Sequence, residues 1–486
     1  MKTIHAYACK ISPRYHQQEA QWDPAVSSAL LRRLIHCLSV CVLVVLASCS
    51  PKYQGPVPGD HTISLGMGPE LSSPAAVGGF NISNAMNLAK IKDDVISLAP
   101  PSYTWPAGNV GDDYLISAQE VDFLRIQRKL VPDAPWFYQV NLFKGGLEGA
   151  LAQVRKSAEL GIMPAYWTIG NEADLYDSHR GAPEWTPEYY ARVFREWTAA
   201  IKAEFPDAKF AGPAISNPYD NWMEVFIAEC GDLVDVLTWH WYPTNGKLPV
   251  DQALASSRNA DPMVRKYQDW LKDPVRNPKG YQREIRTAVT EFALHWDTNN
   301  EAQIADQTGA LWIADVLYRF ARSELDYSHY FCLHTYGGHA VFSGGSKPRP
   351  TYWPFAYFAT LRTGARFLDP MDDPGRLLDG PLTVAAWINS AGKLEVVLGN
   401  RSDETVFGLT LVLPAAAALP ETLASASKLQ VLGSRRLLAG DAGLPDEGAL
   451  NPGEVGFMAG TDATSIGSLV ANLPARSLVH LTLGKP

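Results

Sequence analysis

Between about residue 79 and residue 365 the chain repeats one pattern eight times. A short apolar run, rich in β-branched and aromatic residues, is followed by a longer stretch of helical period. The strand runs fall near 79–83, 101–105, 135–141, 164–170, 208–213, 234–241, 285–291 and 327–333. The intervening segments carry helix punctuation. "LEGALAQVRKSAELG" stops at Gly161, and "TPEYYARVFREWTAAIKAEF" opens at Thr186 with Pro187 in the first helical position and stops before Pro206. Eight strands separated by helices within roughly 285 residues predict an α/β fold, a (β/α)8 barrel. A doubly wound open sheet would compete, but no glycine-rich phosphate loop follows the first run.

The texture changes after about residue 366. "LTVAAWIN", "LEVVLGNRS", "VFGLTLVLP" and "SLVHLTLG" are short strands separated by Gly, Pro, Asn and Asp clusters, which predicts an all-β sandwich over 366–486. The run "HTISLG" at 61–66 is expected to add an N-terminal strand to it, within a segment 61–78 that precedes the barrel at 79–365.

The first 49 residues read as targeting rather than fold. Arg32 and Arg33 precede a short apolar run, Leu34 to Ala47, too brief for the ~20 residues a bilayer-spanning helix needs. It fits the core of a secretion signal, and Leu46-Ala-Ser-Cys49 resembles the lipobox of bacterial lipoproteins, in which Cys49 would be lipidated. Residues 50–60, "SPKYQGPVPGD", then form a tether. An exported, membrane-anchored lipoprotein, periplasmic or on the cell surface, is the expected state. Of six cysteines only Cys230 and Cys332 would remain as thiols in the body, which is no disulfide framework. The formal charge of −9 and the absence of a basic stripe give no footprint for nucleic acid.

Chemistry enters at "YWTIGNEADLY". An apolar run that should end in a core stops at Gly170 and presents Asn171 and Glu172 together. In a barrel of this kind the C-terminal strand ends build the site, and Glu172 lies at the end of the fourth strand. "REIRTAVTEFALHW" ends the seventh strand at Thr290-Glu291, on the far side of the mouth. Two facing carboxylates are the minimal equipment for breaking a glycosidic bond: one protonates the leaving oxygen, the other attacks or stabilises the sugar carbon. Between them "DVLTWHWYP" ends the sixth strand with His240, Trp241 and Tyr242. A phenol donating to a carboxylate favours its ionised form, which gives Tyr242 a role beside Glu291.

Asn-Glu after the fourth strand, His-x-Tyr after the sixth and Glu after the seventh resemble the retaining glycoside hydrolases of clan A. The resemblance implies that Glu172 is the acid/base, Glu291 the nucleophile, Asn171 the partner of the substrate 2-hydroxyl, and Tyr242 the group that orients Glu291. "IGNEADLY" and "TWHWY" are similar to family 79, the heparanases and β-glucuronidases; families 39 and 51, with β-xylosidases and arabinofuranosidases, share much of the pattern. The chain departs from them in carrying Thr104-Trp-Pro-Ala-Gly108 where an Arg-x-Pro-Gly-Gly motif often stands, and Ala173 where Pro commonly follows the acid.

Further candidates for holding an oligo- or polysaccharide are Asn141, Trp105, Trp241, Trp296, His334 and Tyr336, with Lys144 as a partner for a uronate carboxylate. No H-x-x-x-H helix, zinc-type Cys–His spacing or G-x-S-x-G elbow is present, so neither metal, cofactor nor serine nucleophile is expected. The predicted function is retaining hydrolysis of extracytoplasmic glycans. The competing reading is a non-catalytic carbohydrate-binding lipoprotein that keeps the cleft.

Overall fold

The computed structural model describes residues 61–484 apart from 73–74, 84–87, 114–123, 126–127, 335–336, 344–345, 372–379, 416–417, 421–422, 424–429, 440–444, 449–454 and 460–466. The leader, Cys49, the tether and Tyr336 lie outside the described residues.

After an initial strand β1 (Thr62–Glu70), eight parallel strands close into a barrel. These are β2 (Ala75–Asn81), β3 (Tyr103–Trp105), β4 (Trp136–Val140), β5 (Tyr166–Ile169), β6 (Phe210–Ile215), β7 (Val236–Trp241), β8 (Arg286–Phe292) and β9 (Tyr327–Tyr330). Each overlaps one of the eight apolar runs, the first beginning at Ala75, ahead of the expected 79. Helix punctuation acts as its chemistry dictates. The Thr186 side chain accepts from the Tyr189 amide and caps Pro187–Glu204, while Gly161, two residues beyond the helix Gly146–Glu159, takes a φ of +66° that other residues resist.

The barrel is filled, as alternation along the strands requires. Phe137, Tyr166, Ala211, Val236, Ala288 and Tyr327 form one inner apolar cluster. Toward the C-terminal ends the inner layer turns polar, with Gln139, Asn171, His240 and Glu291. The outward residues of β7, Leu237, Trp239 and Trp241, join the large core under the helices.

The second body is a ten-stranded sheet. Its strands are β10 (Arg366–Pro370), β11 (Leu382–Ile388), β12 (Leu394–Asn400), β13 (Val406–Val412), β14 (Gln430–Ala439), β15 (Pro445–Gly448), β16 (Val455–Ala459), β17 (Gly467–Leu473) and β18 (Ser477–Gly484). β1 joins its two halves, antiparallel to β10 and parallel to β13. Val384, Val396 and Leu481 of one half share an apolar core with Leu409, Leu411 and Leu469 of the other, so the sheet folds over on itself as a sandwich.

A buried ion pair fastens the sheet to the barrel. Arg401, beyond β12, meets Asp315 of the helix Gln307–Arg322 at 3.1 Å, and Arg319 meets the same carboxylate at 3.2 Å. No helix among the described residues is long and apolar enough to cross a membrane.

Candidate active site

Three features of the backbone bring Glu172 and Glu291 together. β5 ends at Gly170, whose φ of +78° and contact with Leu142 leave no room for a side chain: a Cβ there would lie 2.5 Å from Leu142. Glu172 itself sits in the left-handed region at φ +49°, which a glutamate seldom occupies, held by the hydrogen bond its N–H donates to the Ala214 carbonyl at 2.9 Å. On β8 the pairing with β7 slips between Trp239–Val289 and His240–Glu291, leaving Thr290 as an extra residue. Strict alternation from Ala288 would turn Thr290 inward and Glu291 outward; the bulge turns Glu291 into the barrel. Asn81 of β2, fully buried, donates to the bulge carbonyl of Thr290 at 2.8 Å and so fixes it.

β5 and β8 are separated by β6 and β7, and His240 of β7 stands between their carboxylates. Its Nδ1 is 2.8 Å from Glu172 Oε1 and 3.5 Å from Glu291 Oε2. One ligand-type atom from each of these three residues lies within 4.8 Å of the others. The Tyr242 hydroxyl donates to Glu291 Oε2 at 2.8 Å, while Oε1 of Glu291 has no partner among the described residues. Glu291 is almost wholly enclosed, with 5% of its side chain exposed against 16% for Glu172.

Burial drives the Glu291 pKa upward. The His240 charge opposes this, the Glu172 charge adds to it, and the Tyr242 hydroxyl and the Gly108 amide lower it. His240 is desolvated, which disfavours its charge, but Glu291 and Glu172 outweigh that and raise its pKa. The enclosure thus favours the protonated form of Glu291 and the charged form of His240.

Two further acids, unmarked by any sequence motif, support the acid-bearing loop. Asp112 is fully buried and accepts from the amides of Asn171 (3.0 Å) and Leu142 (3.2 Å) and from the Tyr176 hydroxyl. Burial pushes its pKa up to about 6 against those bonds. Asp174 binds the Ser216 amide at 3.0 Å and hydroxyl at 2.6 Å, tying the Glu172 turn to the end of β6. It too is raised to about 6, chiefly by burial. Asp174 stands two residues after Glu172, whereas Asp112 lies 59 residues before Asn171, and neither leaves a sequence signal of its role because each acts through backbone amides.

The remaining candidates scatter. Asn171 is buried, its amide facing Gln139 at 3.0 Å and donating to Asn109 at 3.1 Å. Asn141 Oδ1 receives the amides of Lys144 and Gly145, so it closes the turn that leads into the helix Gly146–Glu159. Lys144 faces Asp113 at 3.7 Å.

Two tryptophans proposed as sugar platforms must be corrected. Trp105 is sealed against Trp136 and Tyr138, and Trp241, on the outward side of β7, packs on Trp312 and Phe320. Trp296, 58% exposed beyond β8, does present a face. His334 follows β9 with both ring nitrogens unpartnered among the described residues, and burial lowers its pKa. Cys230 and Cys332 are buried and not joined in a disulfide. Among the described residues, the one His/Cys/Asp/Glu group close enough to grip a metal ion is Glu172, His240 and Glu291 themselves.

A closed eight-stranded barrel with a trailing β-sheet domain is a fold also found among solved glycoside hydrolases. Particular members share it across most of the chain. The family 51 arabinofuranosidase of Xanthomonas axonopodis pv. citri superposes with a TM-score of 0.61 at 16% identity, covering 87% of this chain and 100% of that one. The family 51 α-L-arabinofuranosidase AbfB of Bifidobacterium longum gives 0.64 at 15%, covering 87% and 99%. A family 44 xyloglucanase of Paenibacillus polymyxa gives 0.60 at 12%, covering 88% and 100%. In sequence, bovine (Bos taurus) heparanase is 23% identical over 201 residues, 40% of this chain and 36% of that protein, so the match spans about a third of the relative's length. No family model matches the chain.

Proposed function

We propose that the chain is a retaining glycoside hydrolase acting by double displacement on extracytoplasmic oligo- or polysaccharide, held at a membrane by a lipid on Cys49. The observation that carries the enzymatic reading is the approach of Glu172, His240 and Glu291, whose nearest atoms lie within 4.8 Å. Carboxyl groups about 5–5.5 Å apart leave no room for an attacking water between them and favour a covalent intermediate; inverting pairs stand roughly 6.5–9.5 Å apart.

Glu291 is the nucleophile. Tyr242 engages Oε2, and the unpartnered Oε1 is the atom that bonds to the anomeric carbon. Glu172 is the acid/base. It gives a proton to the leaving oxygen and then takes one from the water that releases the sugar, while His240 Nδ1, 2.8 Å from its Oε1, holds the carboxyl in place. Asn171 is the partner of the substrate 2-hydroxyl, and Trp296 offers a stacking face at the rim. The partial match to heparanase supports a uronide as glycon; the family 51 neighbours support an arabinofuranoside, and the resemblance to family 39 leaves a xyloside as the alternative.

Hydrolysis of 4-nitrophenyl β-glucuronide, β-xyloside and α-L-arabinofuranoside tests the reading. One of them should be cleaved by the wild type in the presence of EDTA, with kcat reduced by about 10³-fold or more in Glu291→Gln. Binding of oligosaccharide without turnover of any glycoside would instead make the protein a non-catalytic binder.

A further inference from the structure

A cavity of about 230 Å³ opens beside Glu172, and its walls include neither Glu291 nor His240. Asn109 and Asp113 come from the loop and short helix after β3; Tyr176, His179 and Arg180 come from the turn and helix that follow Glu172. A space that touches the proton donor and not the nucleophile lies where the departing half of the substrate must sit. We infer that this cavity is the leaving-group subsite and that it seats one hydroxyl-rich sugar ring through hydrogen bonds and charge rather than by stacking. The inference rests on Glu172 being the proton donor.

The aromatic surface nearby is already covered. Tyr176 is buried with its hydroxyl on Asp112, and the Arg180 guanidinium lies over the rings of Phe143 and Tyr176, 4.4 and 5.1 Å from their centroids. Of the rings lining the cavity, Tyr176 is covered, and the exposed His179 imidazole is a polar ring that hydrogen-bonds through its nitrogens. Polar groups remain. Arg180 uses Nη1 on Asp113, which leaves most of its five N–H donors. Asp113 is about one-third exposed and accepts readily from hydroxyls. Asn109 Oδ1 takes the bond from Asn171, leaving Nδ2 to donate. An adjacent guanidinium and carboxylate suit a pair of neighbouring hydroxyls, one accepting and one donating. Asn109 also links this wall to Asn171 and so to the turn that carries Glu172.

Matched substrates that share a glycon and differ in leaving group test this. The pairs are 4-nitrophenyl β-xyloside with xylobiose, 4-nitrophenyl α-L-arabinofuranoside with arabinobiose, and 4-nitrophenyl β-glucuronide with a glucuronyl disaccharide. In Arg180→Gln and Asp113→Asn, kcat/KM on the disaccharide should fall about tenfold or more while the aryl glycoside changes by less than about threefold. Equal losses on both substrates, or no loss on the disaccharide, would overturn the assignment. If Arg180→Gln fails to fold, His179→Ala, at an exposed position on the same wall, carries the comparison. Wild type that cleaves neither member of any pair would count against the glycosidase reading itself, whereas wild type that cleaves both leaves the variants to decide the subsite.

Discussion

At the scale of single residues, the site depends on keeping a proton near Glu172 while Glu291 stays able to attack. Tyr242 bears on this directly. Its donation to Glu291 Oε2 stabilises the ionised carboxylate inside an enclosure that otherwise raises its pKa. In Tyr242→Phe that donor is lost, so the Glu291 pKa should rise further. The nucleophile must be ionised to act, so the acidic limb of the pH–kcat/KM profile moves to higher pH and the rate falls about 10- to 100-fold. A profile that keeps its acidic limb while the rate falls would assign Tyr242 to packing alone. The two carboxylates and Tyr242 were legible in the sequence because they terminate apolar runs. Asp112 and Asp174 were not, because a buried carboxylate that serves backbone amides leaves no periodic trace.

At the scale of elements, strand alternation explains both what the sequence revealed and what it concealed. Apolar runs located all eight barrel strands, since a parallel strand covered on both faces reads as a continuous hydrophobic stretch. The direction of a side chain near a strand end is another matter. Trp241 reads as a mouth residue beside His240, yet period two sends it outward to Trp312. Glu291 faces inward only because a bulge at Thr290 shifts the register, and nothing in "AVTEF" announces it. Gly170 is the corresponding device on β5. Gly170→Ala must place a Cβ against Leu142 at an unfavourable φ, so it should cost about 1–3 kcal/mol and displace Asn171 and Glu172. Thermal unfolding should shift down, and kcat should fall by more than the loss of folded protein accounts for. A variant with unchanged Tm and rate would show that this turn adapts freely.

At the scale of the molecule, the fold does two things for the site. The barrel gathers groups separated by more than a hundred residues into one mouth. The sandwich, joined through β1 and clamped by Arg401 on Asp315, packs against the same helix layer that receives Trp241. The change of texture near residue 366 made the second body legible. The cavity beside Glu172 was not, since its lining comes from loops and two very short helices whose spacing follows no period. The central claim is that Glu291 forms a bond to sugar while Glu172 handles the proton. Mass spectrometry of the protein treated with fluorinated-glycoside or cyclitol mechanism-based inhibitors, followed by peptide mapping, measures that bond. The account predicts a single glycosyl adduct on Glu291, lost in Glu291→Gln and retained in Glu172→Gln; an adduct on Glu172, or active enzyme that releases product of inverted configuration and never becomes labelled, would contradict it.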